Sequence, residues 1–539
     1  MGTGNGQAIT QFETSHLDLT PKWWIKDLGI MGLYMYWDSL PTSSDSPDNL
    51  WSQIPAIGNT TIHVCFPSGG TNFAHPSDIS PEARSVLLKQ YHDELEKSSA
   101  RETWMGDAHL KSAPFPILGN KAHQSQLSEL GDALVLAITD IVKRWWSDAG
   151  ARFPERMPIQ PDEESLLQWI ENNARPYRGH QGSWRPDFLL ESSGEQECAE
   201  NFRICEINAR SWVHGFLFTA FGQQALKNMG IKKHGVIGAS DPEKIISGLK
   251  THFDQSLPLH LIKGDEVGYD IHMFVPYARA SLAMDVKVIS PQSLRLLPAD
   301  APGGFKFYCL SDPDSKQKTV INDAGERLEE IFQVGLELFQ RELQSLGFEM
   351  LQQISSRCFN DLRTVLLVHD KRILGLVLEE LDSLVTREVI SSRQAEILNK
   401  GLVHTIIPGS KKLQDFTSNC LDTPSTKEKF LLKPVRSGKG AGILFGDHLT
   451  QETWIELLEG MQDPFLEDGK TTYVVQKLID QRRYDILLEE DAGVGNWPLV
   501  GTFHVANGIF LGLGLWRSGP GRICALSRGG SWICSVIQQ

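Results

Sequence analysis

Apolar residues recur along the chain with two different spacings, which separate helical regions from strand-rich ones. A recurrence every three or four residues predicts amphipathic helices. The first of them also has a start signal, in which Ser80 precedes Pro81 and Glu82. The predicted helices cover residues 80–97, 127–146, 215–229, 326–346 and 373–385.

Strand predictions fall in the middle and at the end of the chain. Alternating apolar positions around Phe188 and Ile204 predict two strands. Asn507-Gly508 stands between two alternating runs and predicts a β-hairpin there. The other predicted strands are residues 271–284 (a strand pair, or a strand followed by a loop), 365–368, 430–434, 473–479, and the hairpin arms 499–505 and 509–516.

A helical start, a mixed middle and a strand-rich end together predict an α/β (α+β) fold. The chain has 539 residues with 41% apolar positions, enough for a large core without disulfides or metals as staples. Its net charge of −15 argues against nucleic acid or an anionic membrane as a main partner. A small anion remains compatible with a local basic pocket.

The location expected for this protein is cytoplasmic. The first residues are polar and contain no apolar signal segment, and no apolar run approaches the length of a membrane span. The eight cysteines are scattered, without zinc-ligand spacing, and are expected to be reduced thiols. Neither a Gly-x-Ser-x-Gly elbow nor a His-Glu-x-x-His helix occurs, which removes two common hydrolase classes.

A first polar constellation lies on the two predicted strands near residues 188 and 204. Arg185 and Asp187 share one face of the first strand, and Glu206 and Asn208 share one face of the second. If the strands pair as a hairpin, the four side chains converge. Two carboxylates and an amide oxygen suit Mg²⁺, and an adjacent arginine suits phosphate. The alternative is the solvated face of an amphipathic hairpin.

A second constellation is the sequence FLLKPVRSGKGAGI. Lys433 ends an apolar strand, and a turn rich in glycine follows from Ser437 through Gly438 and Gly440 to Gly442. Glycines let backbone amides approach phosphate oxygens. The spacing matches neither a Walker A loop nor a dinucleotide-binding fingerprint. A purely structural glycine turn is the alternative.

Three further polar residues are weaker candidates. Gln476 lies on an apolar strand that is able to line an adenine slot, and Arg517 ends the last clear strand as a phosphate clamp or a surface charge. Lys371 follows the apolar run 365–368 at an expected helix start, where anions are favoured. An edge strand and a solvated turn are the alternatives for Gln476 and Lys371.

The order of these motifs resembles that of the circularly permuted ATP-grasp proteins, the group that includes glutathionylspermidine synthetase. Arg-x-Asp and Glu-x-Asn come first and the phosphate lysines come later, whereas ordinary ATP-grasp chains run the other way. The resemblance spans residues 175–535. It implies an ATP-grasp fold in permuted order, with a helix-rich N-terminal substrate-side region (1–165), a part with the Mg-binding strands (166–360) and a nucleotide-binding part (361–539).

The resemblance also implies a role for each candidate residue. Mg²⁺ would be bound by Asp187, Glu206 and Asn208, and the transferring phosphate would be contacted by Arg185. ATP would be held by Lys371, Lys433, the turn at Ser437, Gly438, Gly440 and Gly442, and Gln476 beside adenine, with Arg517 near the phosphates. No N-terminal amidase segment with a starting cysteine is present, in contrast to some glutathionylspermidine enzymes.

The implied chemistry is an ATP- and Mg²⁺-dependent ligation of a small-molecule carboxylate and an amine through an acyl-phosphate. The chain also resembles the stand-alone proteins of fungal natural-product clusters, which implies a role in secondary metabolism. Two alternatives remain open: a phosphotransferase that uses the same ATP site, and a nucleotide-binding relic without catalysis. The identity of both substrates and the oligomeric state are left undetermined by the sequence.

Overall fold

The structure is a computed structural model, and it describes residues 62–64, 74–192, 201–467, 469–488 and 493–539. Within those ranges the α-helices are α1 Pro81–Ser98, α2 Lys121–Lys143, α3 Phe153–Arg156, α4 Pro161–Asn173, α5 Phe216–Asn228, α6 Pro242–Lys250, α7 Tyr269–Ser281, α8 Gln340–Gln344, α9 Phe348–Ser355, α10 Arg372–Thr386, α11 Ser392–Gly401, α12 Lys411–Asp422 and α13 Gln451–Glu459.

The strands of the same ranges are β1 Ile62–His63, β2 Ser112–Gly119, β3 Ser183–Glu191, β4 Asn201–Asn208, β5 Val236–Gly238, β6 Leu259–Lys263, β7 Val286–Ile289, β8 Leu294–Pro298, β9 Phe305–Leu310, β10 Thr319–Ile321, β11 Arg327–Glu330, β12 Val334–Glu337, β13 Thr405–Ile406, β14 Phe430–Pro434, β15 Leu444–Phe445, β16 Tyr473–Lys477, β17 Arg483–Leu487, β18 Val494–Ala506, β19 Ile509–Ser518 and β20 Ser531–Gln538.

The largest described sheet joins strands from both ends of the chain. Its order is β1-β2-β20-β19-β18-β3-β4, with β17 added beside β18 and β5 beside β20. The last hairpin, β18–β19, pairs through β18 with β3, which comes about 300 residues earlier. This long-range pairing places the two polar strands β3 and β4 next to the C-terminal hairpin.

The described chain also contains three smaller sheets. A parallel sheet has the order β12-β6-β7, and an antiparallel sheet has the order β10-β11-β9-β8. The third, in the order β13-β16-β14-β15, carries the strand that precedes the glycine turn. The sheet that holds the predicted phosphate lysine is thus separate from the sheet that holds the carboxylates.

The core forms where helices cover the central sheet. In α2 the buried Leu134, Ile138 and Ile141 pack into the largest apolar cluster together with Phe188 of β3 and Phe503 of β18. Close packing against this cluster fixes the positions of β3 and β4, because interior side chains fill space at crystal-like density. The polar strands thereby have a rigid support.

Most of the element predictions are confirmed. Helices occur at 81–98, 121–143, 216–228 and 372–386, and Ser80 caps the first of them by accepting from the amide of Ala83. The strands at 430–434 and 473–477 are present, as is the hairpin around Asn507-Gly508. In that turn Asn507 and Gly508 both have positive φ, which the Asn-Gly pair tolerates well.

Three element predictions are wrong. The segment 271–284, predicted as strand, lies mostly in helix α7, and 326–346, predicted as one helix, forms β11, β12 and the short helix α8. The apolar run 365–368 is a π-helical turn, not a strand. All five residues of that turn, 364–368, are buried, and full burial removes the periodicity that distinguishes a helix from a strand.

The fold class is α/β, as predicted, and the carboxylate strands precede the lysine strand along the chain. The central sheet takes strands from each of the three predicted regions, and the division at residues 165 and 360 stays a prediction. Across the described residues, no helix is both long and apolar enough to cross a bilayer. The described cysteines, from Cys205 to Cys534, carry free thiols, whereas Cys65 and Cys198 lie outside the described residues.

Candidate active site

The candidate site begins at the hairpin that β3 and β4 form at one end of the central sheet. In its antiparallel register Arg185 lies opposite Asn208, and Asp187 lies opposite Glu206. Directly opposed residues project from the same face of a sheet, so the four side chains converge. The hairpin therefore brings together two carboxylates, an amide and a guanidinium, as the alternation in the sequence predicted.

Asp187 is the centre of an ion cluster. Its side chain is almost fully buried, and Arg185 Nε donates to Asp187 Oδ1 at 2.9 Å. Arg517, at the end of β19, donates from Nη2 to the other carboxylate oxygen. Arg517 Nε is buried and has no hydrogen-bond partner among the described residues. An anionic oxygen bound beside Arg517 would satisfy this costly N–H group.

Glu206 faces four cationic groups. Lys371 Nζ lies 3.6 Å from Glu206 Oε2. Burial acts to raise the pKa of Glu206, but the charges of Lys371, Lys433, Arg517 and Arg185 lower that pKa to about 2. The carboxyl group is therefore ionised at neutral pH, as a metal ligand must be.

Lys371 connects this carboxylate to the glycine turn. Its Nζ donates to the carbonyl oxygen of Ser437 at 2.5 Å. Its backbone amide donates to the carbonyl oxygen of Val435 at 3.0 Å. Lys371 comes immediately before α10 and after the π-helical turn. The predicted position before a helix is thus confirmed, although the preceding element is not a strand.

Lys433 and Gln476 lie on neighbouring strands of the lysine-bearing sheet. Lys433 Nζ donates to the carbonyl oxygen of Cys205 at 3.4 Å, and Gln476 Nε2 donates to the same oxygen at 3.1 Å. Gln476 Nε2 also donates to Thr405 Oγ1 at 3.0 Å, so its amide group is held within the protein. These bonds place the lysine sheet directly against β4 at the residue before Glu206.

The glycine turn, residues 437–442, forms one boundary of the site. Gly440 and Gly442 have φ values of +69° and +72°, a region that favours glycine. A Cβ atom on Gly440 would collide with Ile523, which lies in the loop after β19. The turn is partly exposed and packs against that loop, so it covers the groups below it.

A cavity of about 760 Å³ lies between the hairpin, the lysine sheet and the glycine turn. Lys371, Ser437 and Gly442 lie just outside its lining, in contact with residues that line it or next to them in sequence. The remaining predicted site residues all line it: Arg185, Asp187, Glu206, Asn208, Lys433, Gly438, Gly440, Gln476 and Arg517.

Sequence reasoning missed a set of charged residues on the far side of this cavity. They are Arg210, Glu266, Asp270 and Glu337. Arg210 was detectable, because it continues the alternation of Glu206 and Asn208 by one step. Asp270 and Glu337 gave no signal, because their segments were assigned to the wrong kind of element.

The arrangement suits a metal-bound polyphosphate. Asp187, Glu206 and Asn208 offer oxygen ligands of the kind that Mg²⁺ takes, and Mg²⁺ needs only a few from protein. Arg185, Arg517, Lys371 and Lys433 outnumber the two carboxylates and leave a local charge of +2. The site is therefore cationic inside an acidic protein, as an anionic ligand requires.

Comparison with known proteins identifies the family. Residues 130–367 match the AnkG N-terminal domain family. The ATP-grasp enzyme ankG of Aspergillus thermomutatus is 34% identical over 485 residues, which cover 88% of this chain and 98% of that protein. A glutathione synthetase-like effector of Globodera pallida, solved in its apo form, is similar with a TM-score of 0.48 at 10% identity, covering 85% of this chain and 98% of that one.

The protein is thus an ATP-grasp enzyme, a ligase, as the motif order predicted. Within that class, the chain belongs to the family of the ATP-grasp enzyme ankG, with which it shares a third of its residues over nearly the full length. Members of the ATP-grasp class generally use ATP and Mg²⁺ and act on small molecules. The roles of the individual site residues stay predictions.

Proposed function

We propose that this protein is an ATP- and Mg²⁺-dependent carboxylate–amine ligase that forms an amide bond through an acyl-phosphate. The observation that carries the proposal is the convergence of the Arg185–Asp187 and Glu206–Asn208 pairs beneath Lys433 and Arg517. Phosphoryl transfer requires mainly positioning and charge neutralisation, and this cluster supplies both.

In the first step, an oxygen of the carboxylate substrate attacks the γ-phosphorus of ATP. The bond between that phosphorus and the β–γ bridging oxygen breaks, and ADP leaves with the electron pair. Lys371 and Lys433 hold phosphate oxygens, while Arg517 and Arg185 face the phosphoryl group in transfer. Their fixed positive charges stabilise the charge that moves between the oxygens.

Bound Mg²⁺ would offset phosphate charge during this step. Asp187, Glu206 and Asn208 are the residues that would hold it. The low pKa of Glu206 supports this role, because the ligand is ready in its ionised form. Arg185 and Arg517 orient Asp187 through hydrogen bonds to its two oxygens.

In the second step, the nitrogen of the amine attacks the acyl carbon. The bond from that carbon to the phosphate oxygen breaks, phosphate leaves, and the nitrogen loses a proton as the amide forms. Water would compete for the acyl-phosphate in an open site. The glycine turn, packed on the loop after β19, is the cover that excludes water.

The test is release of ADP and phosphate from Mg·ATP, with a panel of carboxylates and amines offered singly and in pairs. The proposal expects release that requires a carboxylate and increases with an amine. Phosphorylated product without any amine dependence would instead select a phosphotransferase. Asp187→Asn should abolish release, and Glu349→Gln, an exposed carboxylate on α9, should leave it unchanged.

The proposed substrates are amino-acid-like small molecules, and the proposed setting is secondary metabolism. The substrate panel described above tests the chemical class directly. Release only with nucleic acids or proteins would contradict the small-molecule assignment.

A further inference from the structure

The cavity extends beyond the predicted metal ligands into a region with a different chemical character. Its walls come from the loop after β4, the start of α7 and the end of β12. Three carboxylates line it, and each of them is more than nine-tenths buried. We call this region the acidic arm and define it by Glu266, Asp270 and Glu337.

Only one of the three carboxylates is neutralised by the protein. Glu266 Oε2 accepts from Arg210 Nη2 at 3.0 Å, and Glu266 Oε1 accepts from Lys439 Nζ at 2.6 Å. The charge of Glu266 is therefore balanced by a residue after β4 and by a residue of the glycine turn. Glu266 therefore does not need a further cation from a bound ligand.

Asp270 and Glu337 have no such balance. Glu337 Oε1 accepts a hydrogen bond from Ser211 Oγ at 2.9 Å, but among the described residues no cation forms an ion pair with Glu337 or Asp270. By strict geometry neither carboxylate oxygen of Asp270 accepts a hydrogen bond in the described chain, although the backbone amides of Gly215, Phe216 and Leu217 lie near enough to lower its pKa. Buried acceptors without partners are rare and costly in native proteins.

The pKa values of Glu337 and Asp270 are raised, as expected for buried carboxylates without a paired cation. Burial raises the pKa of Glu337 to about 8, and the nearby charges of Glu266 and Asp270 contribute to the rise. Burial also raises the pKa of Asp270 to about 6, although the amides at the start of α5 and Arg185 act in the opposite direction. A cation placed between these groups would relieve both penalties.

Aromatic rings complete the walls of the acidic arm. Phe218, Tyr269 and Trp532 line the cavity. The ring of Phe218 lies edge-on to Tyr269, with centroids 6.2 Å apart, and edge-on to Trp532 at 5.4 Å. Aromatic faces attract organic cations and exclude water from their neighbourhood. Carboxylates beside such walls favour an organic ammonium group over a hydrated metal ion.

We propose that the acidic arm is the binding site for the amine substrate, which it holds as a positively charged ammonium group through Asp270 and Glu337. The inference rests on the proposed ligase function and adds to it the substrate class and the position of the amine. Arg185 lines the same cavity beside Asp270, and it belongs to the predicted phosphoryl-transfer site. The amine is thereby placed next to the point where the acyl-phosphate forms, and it becomes a nucleophile there once one ammonium proton passes to one of the two carboxylates.

The competing explanation is structural. Asp270 faces the first amides of α5, at Gly215, Phe216 and Leu217, and a carboxylate at a helix N-terminus stabilises that helix. This explanation accounts for Asp270 but not for Glu337, which lies on a different element and faces none of those amides. It also predicts no affinity for cations, which makes the two explanations separable by experiment.

The probes are methylammonium, n-butylammonium and benzylammonium chloride, with n-butanol and benzyl alcohol as neutral counterparts. Binding to the full-length protein is measured by saturation-transfer NMR, which detects weak ligands. We expect at least one ammonium probe to bind and its alcohol to bind at least tenfold more weakly, because the charge-assisted contact is absent. Failure of all three ammonium probes to bind would overturn the proposal.

Variants locate the binding to the arm. Asp270→Asn and Glu337→Gln should each weaken ammonium binding at least tenfold. Two variants are used so that the test can still be made if one of them does not fold. The matched control is Asp265→Asn, which removes an exposed carboxylate that lies shortly before α7 in sequence and pairs with Arg341. Equal ammonium binding by the wild type and both arm variants would refute the assignment.

A second measurement separates this proposal from the ligase proposal. Mg·ATP binding is measured by calorimetry on the same proteins, and Asp270→Asn and Glu337→Gln should retain it, because neither residue contacts the predicted metal ligands. Wild-type protein that binds Mg·ATP but no ammonium probe overturns the acidic arm alone. Wild-type protein that binds no Mg·ATP overturns the proposed function itself.

Discussion

Replacing Glu206 with glutamine tests the electrostatics of the candidate site without a change in side-chain size. In the folded protein the pKa of Glu206 is lowered from its ordinary 4.5 to about 2. A drop of this size corresponds to a stabilisation of about 3 kcal/mol at pH 7. The side chain is 20% exposed, so solvent screens part of the interaction and this figure is an upper bound.

The sign of the effect follows from the direction of the pKa shift. Because the pKa is lower in the folded state, the stabilisation is fully present above pH 4.5 and is lost as the pH falls towards 2. We therefore expect Glu206→Gln to reduce the free energy of unfolding by up to about 3 kcal/mol at pH 7. The physical reason is that Lys371, Lys433, Arg517 and Arg185 then repel one another without a counter-charge.

Urea unfolding at pH 7, followed by circular dichroism, measures this change. The control is Glu396→Gln, because Glu396 pairs with Lys400 on the surface of α11, where solvent screens the pair and its loss should hardly change stability. A Glu206→Gln variant as stable as the wild type, or more stable, would refute the argument. It would mean that the carboxylate does not hold the four cations together.

Three further predictions concern Lys433, the glycine turn, and the buried ion pair between Asp370 and Arg372, the residues on either side of Lys371. Lys433→Met should weaken Mg·ATP binding by roughly tenfold or more in calorimetry, as loss of a charge-assisted contact implies, and unchanged affinity would remove Lys433 from the nucleotide site. Gly440→Ala should lower turnover, since its φ of +69° and the collision with Ile523 both disfavour a side chain. Gly119→Ala, outside the cavity and with no atom nearer than 4.0 Å to the added carbon, should not, and equal activities of the two variants would contradict this view of the turn. Asp370→Asn should lower the urea-unfolding free energy by about 3 kcal/mol or more, because it leaves the buried Arg372 without its carboxylate partner and takes one of two carboxylate partners from Arg436. A change below about 1 kcal/mol would show that Arg372 needs no such carboxylate.

The carboxylate hairpin was predictable because its signal is local. Alternation alone places Arg185 and Asp187 on one face of their strand, and Glu206 and Asn208 on one face of theirs. The two strands are joined by only ten residues, and a connector this short favours antiparallel pairing. Period-two alternation specifies which face each side chain occupies, and a slip of one residue would reverse it. The register in the structure agrees with that specification.

The helix α7 shows how composition misleads. Valine, tyrosine and phenylalanine in residues 269–281, together with Pro276, favour a strand or a loop. The buried positions Ile271, Phe274 and Ala278 nevertheless follow helical spacing, three and four apart. Tertiary packing of that face overrides the weak preference of the individual residues.

The segment 326–346 failed for the opposite reason. Its apolar residues fit helical spacing, but β11 pairs with β9 and β12 pairs with β6, both through contacts distant in sequence. Gly335 lies against the side chain of Trp212, so that a Cβ atom there would collide. The segment is extended because it pairs with strands that are distant in sequence. This pairing also places Glu337 at the cavity.

Calorimetric titration with Mg²⁺ and a non-hydrolysable ATP analogue tests the central claim most directly. The account predicts that the wild-type protein binds the analogue, that binding strengthens when Mg²⁺ is present, and that Asp187→Asn and Glu206→Gln remove the Mg²⁺ dependence while the proteins stay folded. Wild-type protein without affinity for the analogue, or variants with unaltered Mg²⁺ dependence, would contradict it.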